Sequence, residues 1–127
     1  MCSSDLGVVE SYGDNGVLAG KAEFKDGKMN GASKIYYPNG KLASEASFRD
    51  NIQVGVQKDY YENGKVKYEL PYKNGQMDGV AKEYYPSGKI KIEEPYKNGQ
   101  IDGVAKAYDE SGKVIQQATF KNGQQIQ

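Results

Sequence analysis

Five tandem repeats of 24 residues constrain the fold of this chain more than any other sequence feature. A glycine begins each repeat, at positions 7, 31, 55, 79 and 103, and no insertion separates one copy from the next. The repeats are residues 7–30, 31–54, 55–78, 79–102 and 103–127, and residues 1–6 form a separate N-terminal tail. Such a fixed period predicts that every copy forms the same small unit and that neighbouring units stack on one another.

Each repeat contains two β-prone runs separated by a turn signal. In the fourth repeat this signal is Pro86-Ser87-Gly88, which predicts a three-residue hairpin loop with Gly88 in the left-handed conformation. The predicted register places Tyr85 opposite Lys89, Tyr84 opposite Ile90, Glu83 opposite Lys91 and, in the third repeat, Asp59 opposite Lys67.

A second turn joins one repeat to the next. It is Asp-Gly or Asn-Gly in four repeats, the strongest short hairpin signal, and Asp50-Asn51 in the second, where asparagine also tolerates a positive φ. The glycine that begins each repeat predicts a bend or bulge. The sequence therefore predicts an all-β fold, an elongated single-layer antiparallel meander of about ten strands built from β-hairpin repeats.

Four repeat positions carry apolar or aromatic residues and are predicted to share one face of the sheet. The sixth position is always tyrosine, the twelfth is aliphatic, the eighteenth is aromatic and the second is small and apolar. Burying one such side chain contributes roughly 1.5–3 kcal/mol, whereas ordering one residue costs roughly 1–2 kcal/mol of backbone entropy. The few apolar residues of a single repeat cannot offset the entropy lost on ordering it, so each repeat is expected to depend on its neighbours for stability.

The seventh position of the repeat supplies the candidate binding residues. It is Tyr37, Tyr61 and Tyr85 in the middle repeats but Gly13 and Asp109 in the outer ones. Because the outer repeats lack them, these tyrosines are predicted to form an exposed row on the face opposite the apolar ladders. With Tyr68, Lys65 and Lys89 they have the composition of a protein-binding surface. Two alternatives are that the tyrosines shield backbone hydrogen bonds, or that sugars stack on them.

Composition argues against several other functions. Lys and Arg number 17 and Asp and Glu number 17, so no basic field predicts binding to nucleic acid. The chain has no histidine, which removes the commonest general base and metal ligand. Glu93 and Glu94 are adjacent on a predicted strand and therefore point to opposite faces, unlike the paired carboxylates of glycosidases. We expect no enzymatic activity, no catalytic residues, no cofactor and no metal site.

The N-terminal tail resembles the mature start of a bacterial lipoprotein. Cys2 is followed by two serines, and Met1 would then stand in place of a removed leader. That resemblance implies a lipid on Cys2, a location in the cell envelope and contact with a membrane only through the lipid. The alternative is an ordinary tail with an incidental thiol on a cytoplasmic protein.

The string YKNGQxDGxxKxYYPxGK resembles the bacterial variant of the MORN repeat. It stands at Tyr72–Lys89 and, with Asp109-Glu110 replacing Tyr-Pro, at Tyr96–Lys113, and looser copies cover all but the first six residues. The resemblance implies hairpins that add into one twisted sheet without catalytic residues. Proteins of this variant are often grouped as YwqK-type antitoxins, which implies a toxin as the protein partner, while other MORN arrays are tied to membranes or scaffolding.

These observations predict a non-catalytic protein-binding or scaffold module of the antitoxin or immunity type. The alternatives are an envelope lipoprotein that associates with membrane or lipid, and a carbohydrate-binding surface. The open ends of the predicted sheet also leave self-association through a sheet edge as a further expectation.

Overall fold

The structure is a computed structural model that describes residues 6–126, with the backbone alone for Leu6. All its regular elements are β-strands, and they form a single antiparallel sheet of 13 strands. The strands are β1 Leu6–Tyr12, β2 Leu18–Lys25, β3 Lys28–Tyr36, β4 Leu42–Arg49, β5 Ile52–Tyr60, β6 Val66–Lys73, β7 Gln76–Met77, β8 Gly79–Tyr84, β9 Ile90–Lys97, β10 Gln100–Ile101, β11 Gly103–Tyr108, β12 Val114–Lys121 and β13 Gln124–Gln125.

The strands follow one another across the sheet in sequence order, so the predicted single-layer meander is confirmed. Two predicted strands are each divided at a repeat junction, by Asp78 between β7 and β8 and by Asp102 between β10 and β11. The next residues, Gly79 and Gly103, have φ of 122° and 124°, a conformation that side chains rarely adopt. These interruptions, together with the short β13, account for 13 strands instead of about ten.

Both predicted turns are present. The Tyr85 N–H donates to the Lys89 carbonyl at 2.8 Å, which closes the three-residue loop, and Gly88 has a φ of 97°. Between repeats, Asp50 and Asn51 adopt φ of 50° and 69°, so two consecutive left-handed residues form the turn without a glycine. The turn chemistry read from the sequence is therefore confirmed, including its one exception.

The predicted strand register is correct at the loop and wrong beyond it. Tyr84 does pair with Ile90, but the next pair is Glu83 with Ile92, and Lys91 is the extra residue of a β-bulge. In the third repeat Asp59 likewise pairs with Tyr68 and not with Lys67. The same shift occurs beside the sixth residue of every repeat.

The bulge places on opposite faces two of the side-chain ladders that the sequence predicts to share one face. Val80 and Tyr84 lie on one face, whereas Tyr96 pairs with Gly79 and lies on the other. The prediction that all four ladders share one face is therefore wrong for the aromatic eighteenth position. We call one face the charged face, formed by repeat positions 2, 4, 6, 15 and 17, and the other the aromatic face, formed by positions 3, 5, 14, 16, 18 and 23.

Burial confirms that the sheet has no second layer. Among residues 7–126, Ala81 is the one buried residue, with 5% of its surface exposed. The larger side chains on both faces are half-buried or exposed. The stability of the fold therefore comes from contacts between adjacent strands and adjacent repeats, not from a closed core.

Candidate functional site

The charged face carries a row of alternating charges that runs across the sheet. In this row each acidic residue at the fifteenth repeat position faces a lysine at the fourth position on both neighbouring strands. The facing pairs are Lys34–Glu45, Glu45–Lys58, Lys58–Glu69, Glu69–Lys82, Lys82–Glu93 and Glu93–Lys106. Opposite charges that face across strands stabilise a sheet by a few tenths of a kcal/mol each, roughly. The row therefore favours one alignment of each repeat on the next.

Tyrosines of the sixth position add hydrogen bonds to this row. Tyr60 donates to Glu45 Oε1 at 2.7 Å, and Tyr84 donates to Glu69 Oε1 at 2.6 Å. Burial, followed by the bond to the carboxylate, raises the pKa of Tyr60 and of Tyr84 to about 12. Each bond joins two successive repeats, so these tyrosines hold neighbouring repeats together on the same face as the row of alternating charges.

Glu93 and Glu94 occupy opposite faces, as the sequence predicts. Glu93 pairs with Lys82 and accepts the hydroxyl of Tyr108, whereas Glu94 pairs with Ala81 on the aromatic face. The bond to Glu93 is the main reason that the pKa of Tyr108 is raised. The two carboxylates therefore do not converge on one site.

The tyrosines of the seventh position form a second set of ties between repeats. Tyr61 donates its hydroxyl to the Tyr84 carbonyl at 2.6 Å, and Tyr85 donates to the Tyr108 carbonyl at 2.7 Å. Tyr37 makes the equivalent bond to the Tyr60 carbonyl. All three rings are half-buried, so the prediction that they form an exposed row is wrong. They bind the backbone of the following repeat, which matches the shielding alternative.

Asp109 takes a different role at the same position of the fifth repeat. Its carboxylate accepts hydrogen bonds from the Ser111 hydroxyl at 2.6 Å and from the Ser111 and Lys113 N–H groups. These bonds, with that of the Ser111 side chain largest, lower the pKa of Asp109. Aspartate therefore closes its own hairpin loop where the middle repeats have a tyrosine that reaches the next repeat.

The predicted lysines also differ in their surroundings. Lys65 Nζ donates to the Ser87 carbonyl at 3.1 Å, so it links two neighbouring hairpin loops. Lys89 is exposed, and among residues 6–126 the structure gives it no side-chain hydrogen bond or ion pair. Of the candidate residues named from the sequence, the structure thus brings Tyr37, Tyr61, Tyr85 and Lys65 into inter-repeat contacts and leaves Lys89 on the surface.

Two lysines that sequence analysis missed lie beside the tyrosines. They are the bulged residues: Lys67 Nζ lies 5.7 Å from the ring centre of Tyr61 and 5.4 Å from that of Tyr68, and Lys91 Nζ lies 5.6 Å from that of Tyr85. Both occupy the thirteenth repeat position. The shared position was visible in the sequence, but only the bulge brings it near the seventh.

The aromatic face of repeats 3 to 5 has two shallow depressions that share Ile92 and Glu94. Their volumes are about 200 and 280 Å³. The first is lined by Tyr68, Leu70, Met77, Ala81, Lys82, Glu83 and Tyr96, and the second by Ala105, Lys106, Ala107, Gln116, Gln117, Ala118, Phe120 and Gln125. Together they form a continuous and mainly apolar strip across β6, β8, β9, β11 and β12.

The described part of the chain contains no cluster of three or more metal-ligating side chains. No helix within it has the length and apolarity to cross a membrane. Cys2, the predicted lipid attachment point, lies outside the described residues.

Comparison with known proteins identifies the repeats. The sequence model of the MORN repeat variant family matches residues 6–26, 29–50, 53–74, 77–98 and 101–122. No match was found among curated proteins. A solved structure, the crystal structure of accessory secretory protein 1,2 and 3 in Streptococcus pneumoniae, is similar with a TM-score of 0.46 and 17% identity. The similarity covers 84% of this chain and 19% of that one, so this chain spans about a fifth of the larger protein.

Proposed function

The chain belongs to the MORN repeat variant family, and from that premise we propose that it is a non-catalytic module that binds a protein on its aromatic face. One observation carries the proposal. Large side chains such as Leu70, Ile92 and Phe120 lie on a face that no second layer covers within residues 6–126. A partner that covered this strip would bury apolar surface that the chain alone leaves half-exposed.

The strip has the layout of a protein interface. Its centre is apolar, and its rim carries the bulge lysines Lys67 and Lys91 together with Glu83. An apolar centre with a polar rim is typical of protein-binding surfaces. Tyr68, one of the candidate residues predicted from the sequence, lines the strip directly. Tyr61 and Tyr85 support the rim of the strip, since Lys67 lies over the ring of Tyr61 and Lys91 over the ring of Tyr85.

The opposite face is less suited to a partner. Its exposed valines, such as Val56 and Val80 with 49% and 46% of their surface exposed, flank a charge row whose members already face opposite charges. Sugar stacking on the three seventh-position tyrosines is also disfavoured, since their hydroxyls are bonded and their rings are half-buried. We therefore place the partner on the aromatic face.

The resemblance to YwqK-type antitoxins favours a toxin protein as the partner. An immunity protein needs no catalytic residues, since it acts by occupying the surface of its toxin, and a rigid sheet with an apolar strip suits that task. The predicted lipid on Cys2 would hold such a module at a membrane without involving either face of the sheet. Both statements rest on resemblance and belong to this proposal.

Two residues of β12 on opposite faces allow a direct test. Gln116 lines the strip on the aromatic face, paired with Ala107, and Thr119 lies on the charged face, paired with Val104. A photo-crosslinking amino acid is placed at one position or the other, and the two proteins are irradiated in extract of the source organism. We expect one prominent protein adduct from position 116 that is absent from position 119.

A second pair of variants measures the contribution of the strip. Leu70→Glu with Ile92→Glu changes the aromatic face, and Val56→Glu with Val80→Glu is the matched change on the charged face. Loss of two central apolar contacts is expected to weaken binding of the crosslinked protein by at least about 30-fold, and the charged-face variant should bind normally. Equal adducts from both faces, or equal losses in both variants, would overturn the assignment.

A further inference from the structure

The first repeat lacks one of the tyrosine ties that the middle repeats possess. In repeats 2, 3 and 4 the seventh-position tyrosine donates its hydroxyl to the carbonyl of the sixth residue of the next repeat. In the first repeat the seventh residue is Gly13, and the corresponding acceptor is the carbonyl of Tyr36. Among residues 6–126 no side chain donates to that carbonyl.

A depression of about 300 Å³ lies beside Gly13, the residue that stands in place of the tyrosine. It is lined by Gly13, Asp14, Asn15, Val17, Leu18, Ala19, Tyr36, Tyr37 and Pro38. We call this depression the Gly13 notch. Its lining is mainly apolar and aromatic, and it includes Tyr36, whose carbonyl corresponds to the one that accepts the tyrosine hydroxyl in the following repeats.

The rest of the first hairpin loop is built like the loops that hold a tyrosine. The Gly13 N–H donates to Val17 O at 3.0 Å, as Tyr61 N–H donates to Lys65 O at 2.8 Å. Asn15 Nδ2 donates to Pro38 O at 3.2 Å, as Asn63 Nδ2 donates to Pro86 O at 3.0 Å. The side chain at position seven is therefore absent while the frame around it is preserved.

We propose that the Gly13 notch binds a tyrosine side chain of a partner polypeptide. The occupant is argued from the molecule itself, because three copies of the same frame each hold a tyrosine whose hydroxyl reaches the backbone carbonyl. An incoming ring would pack on Leu18 and Tyr37 and donate its hydroxyl to the Tyr36 carbonyl. The site lies beside the hairpin loops and is separate from the strip on repeats 3 to 5.

The hydroxyl provides the specificity. Phenylalanine fills the same volume but leaves the carbonyl without the donor, and a neutral hydrogen bond of this kind changes affinity by about 2- to 10-fold. A single side chain binds weakly, so affinities near the millimolar range are expected, consistent with the low contact area of a small ligand.

The test uses the full chain labelled with ¹⁵N and two probes that differ by one oxygen, N-acetyl-tyrosinamide and N-acetyl-phenylalaninamide. The tyrosine probe should produce saturable amide shifts confined to residues 13–19 and 36–40, with an affinity about 2- to 10-fold above that of the phenylalanine probe. Gly13→Tyr should abolish both, because the protein then fills its own notch.

Tyr61→Gly provides a matched positive control, because it opens the equivalent notch at the Tyr84 carbonyl. The tyrosine probe should bind there as well and partly restore the stability that the variant loses. Binding at the opened notch without binding at Gly13 would overturn the proposal, as would equal affinity for the two probes. Should Tyr61→Gly fail to fold, the comparison of the wild type with Gly13→Tyr decides the question alone.

Discussion

Removal of the Tyr61 tie should destabilise the protein in two separable steps. Tyr61→Phe deletes only the 2.6 Å hydrogen bond to the Tyr84 carbonyl, which is expected to cost about 1 kcal/mol of the free energy of unfolding. Tyr61→Ala also removes the half-buried ring. With roughly 100 Å² of apolar surface lost at about 25 cal/mol per Å², the further cost is about 2.5 kcal/mol.

Urea unfolding followed by circular dichroism measures both steps. For a chain of this size the denaturant slope is about 2 kcal/mol per molar, so the midpoint should fall by about 0.5 M for Tyr61→Phe and by about 1.5–2 M for Tyr61→Ala. Lys89→Ala serves as the control, since that exposed side chain should change stability by less than about 0.5 kcal/mol. A Tyr61→Ala protein as stable as the wild type would refute the idea that this tyrosine joins the repeats.

Three further predictions follow from the same geometry. Gly103→Ala should lower the free energy of unfolding by about 2 kcal/mol or more, because φ at Gly103 is 124° and the new methyl would lie 2.8 Å from the ring of Pro95. Gly7→Ala is the control: no atom lies within 4 Å of its new methyl, so urea unfolding should show almost no change in stability. Stability should be retained below pH 10 and decline as the pH rises from 10 toward 12. The reason is that folding raises the pKa of Tyr60 and of Tyr84 to about 12, so ionisation of these tyrosines favours the unfolded chain. Unfolding midpoints measured across that range should decline less for Tyr84→Phe than for the wild type. Gly13→Tyr should raise the free energy of unfolding by about 1–2 kcal/mol, by adding one hydrogen bond and one half-buried ring, and a lower melting temperature would contradict the match between the first loop and the others.

The repeat period was enough to predict the sheet, its order of strands and both turns. The reason is local: the loop around Gly88 and the turn at Asp50-Asn51 are determined by a few residues whose backbone preferences are strong. Because every copy repeats the same local choices, the meander follows without knowledge of long-range contacts.

The bulge could not be predicted, and it changed the assignment of faces. Lys91 and Glu83 carry opposite charges and lie 3.6 Å apart at Nζ and Oε2 even though they are not paired across the hairpin. The charge pattern therefore agrees with two registers that differ by one residue, and a shift of one residue transfers every side chain beyond it to the other face.

The role of the seventh-position tyrosines was misjudged for a related reason. In the sequence, their replacement by Gly13 and Asp109 is typical of residues that a fold does not need. Each hydroxyl instead reaches a carbonyl 23 residues further along the chain, as from Tyr61 to Tyr84, and such a contact is visible only once the repeats are set side by side. The candidate site on the aromatic face likewise depends on the bulge, which places Tyr68, Leu70 and Ile92 on the face opposite the sixth-position tyrosines.

Small-angle X-ray scattering of the full chain tests the single-layer arrangement most directly. Eleven strand positions at about 4.8 Å each, with strands of about 25 Å and a sheet about 10 Å thick, predict a radius of gyration of about 17 Å and a maximum dimension near 60 Å. A compact globule of this length would have a radius of gyration of about 14 Å. A value near 17 Å with a thin, elongated distance distribution supports the open sheet, and a value near 14 Å would contradict it.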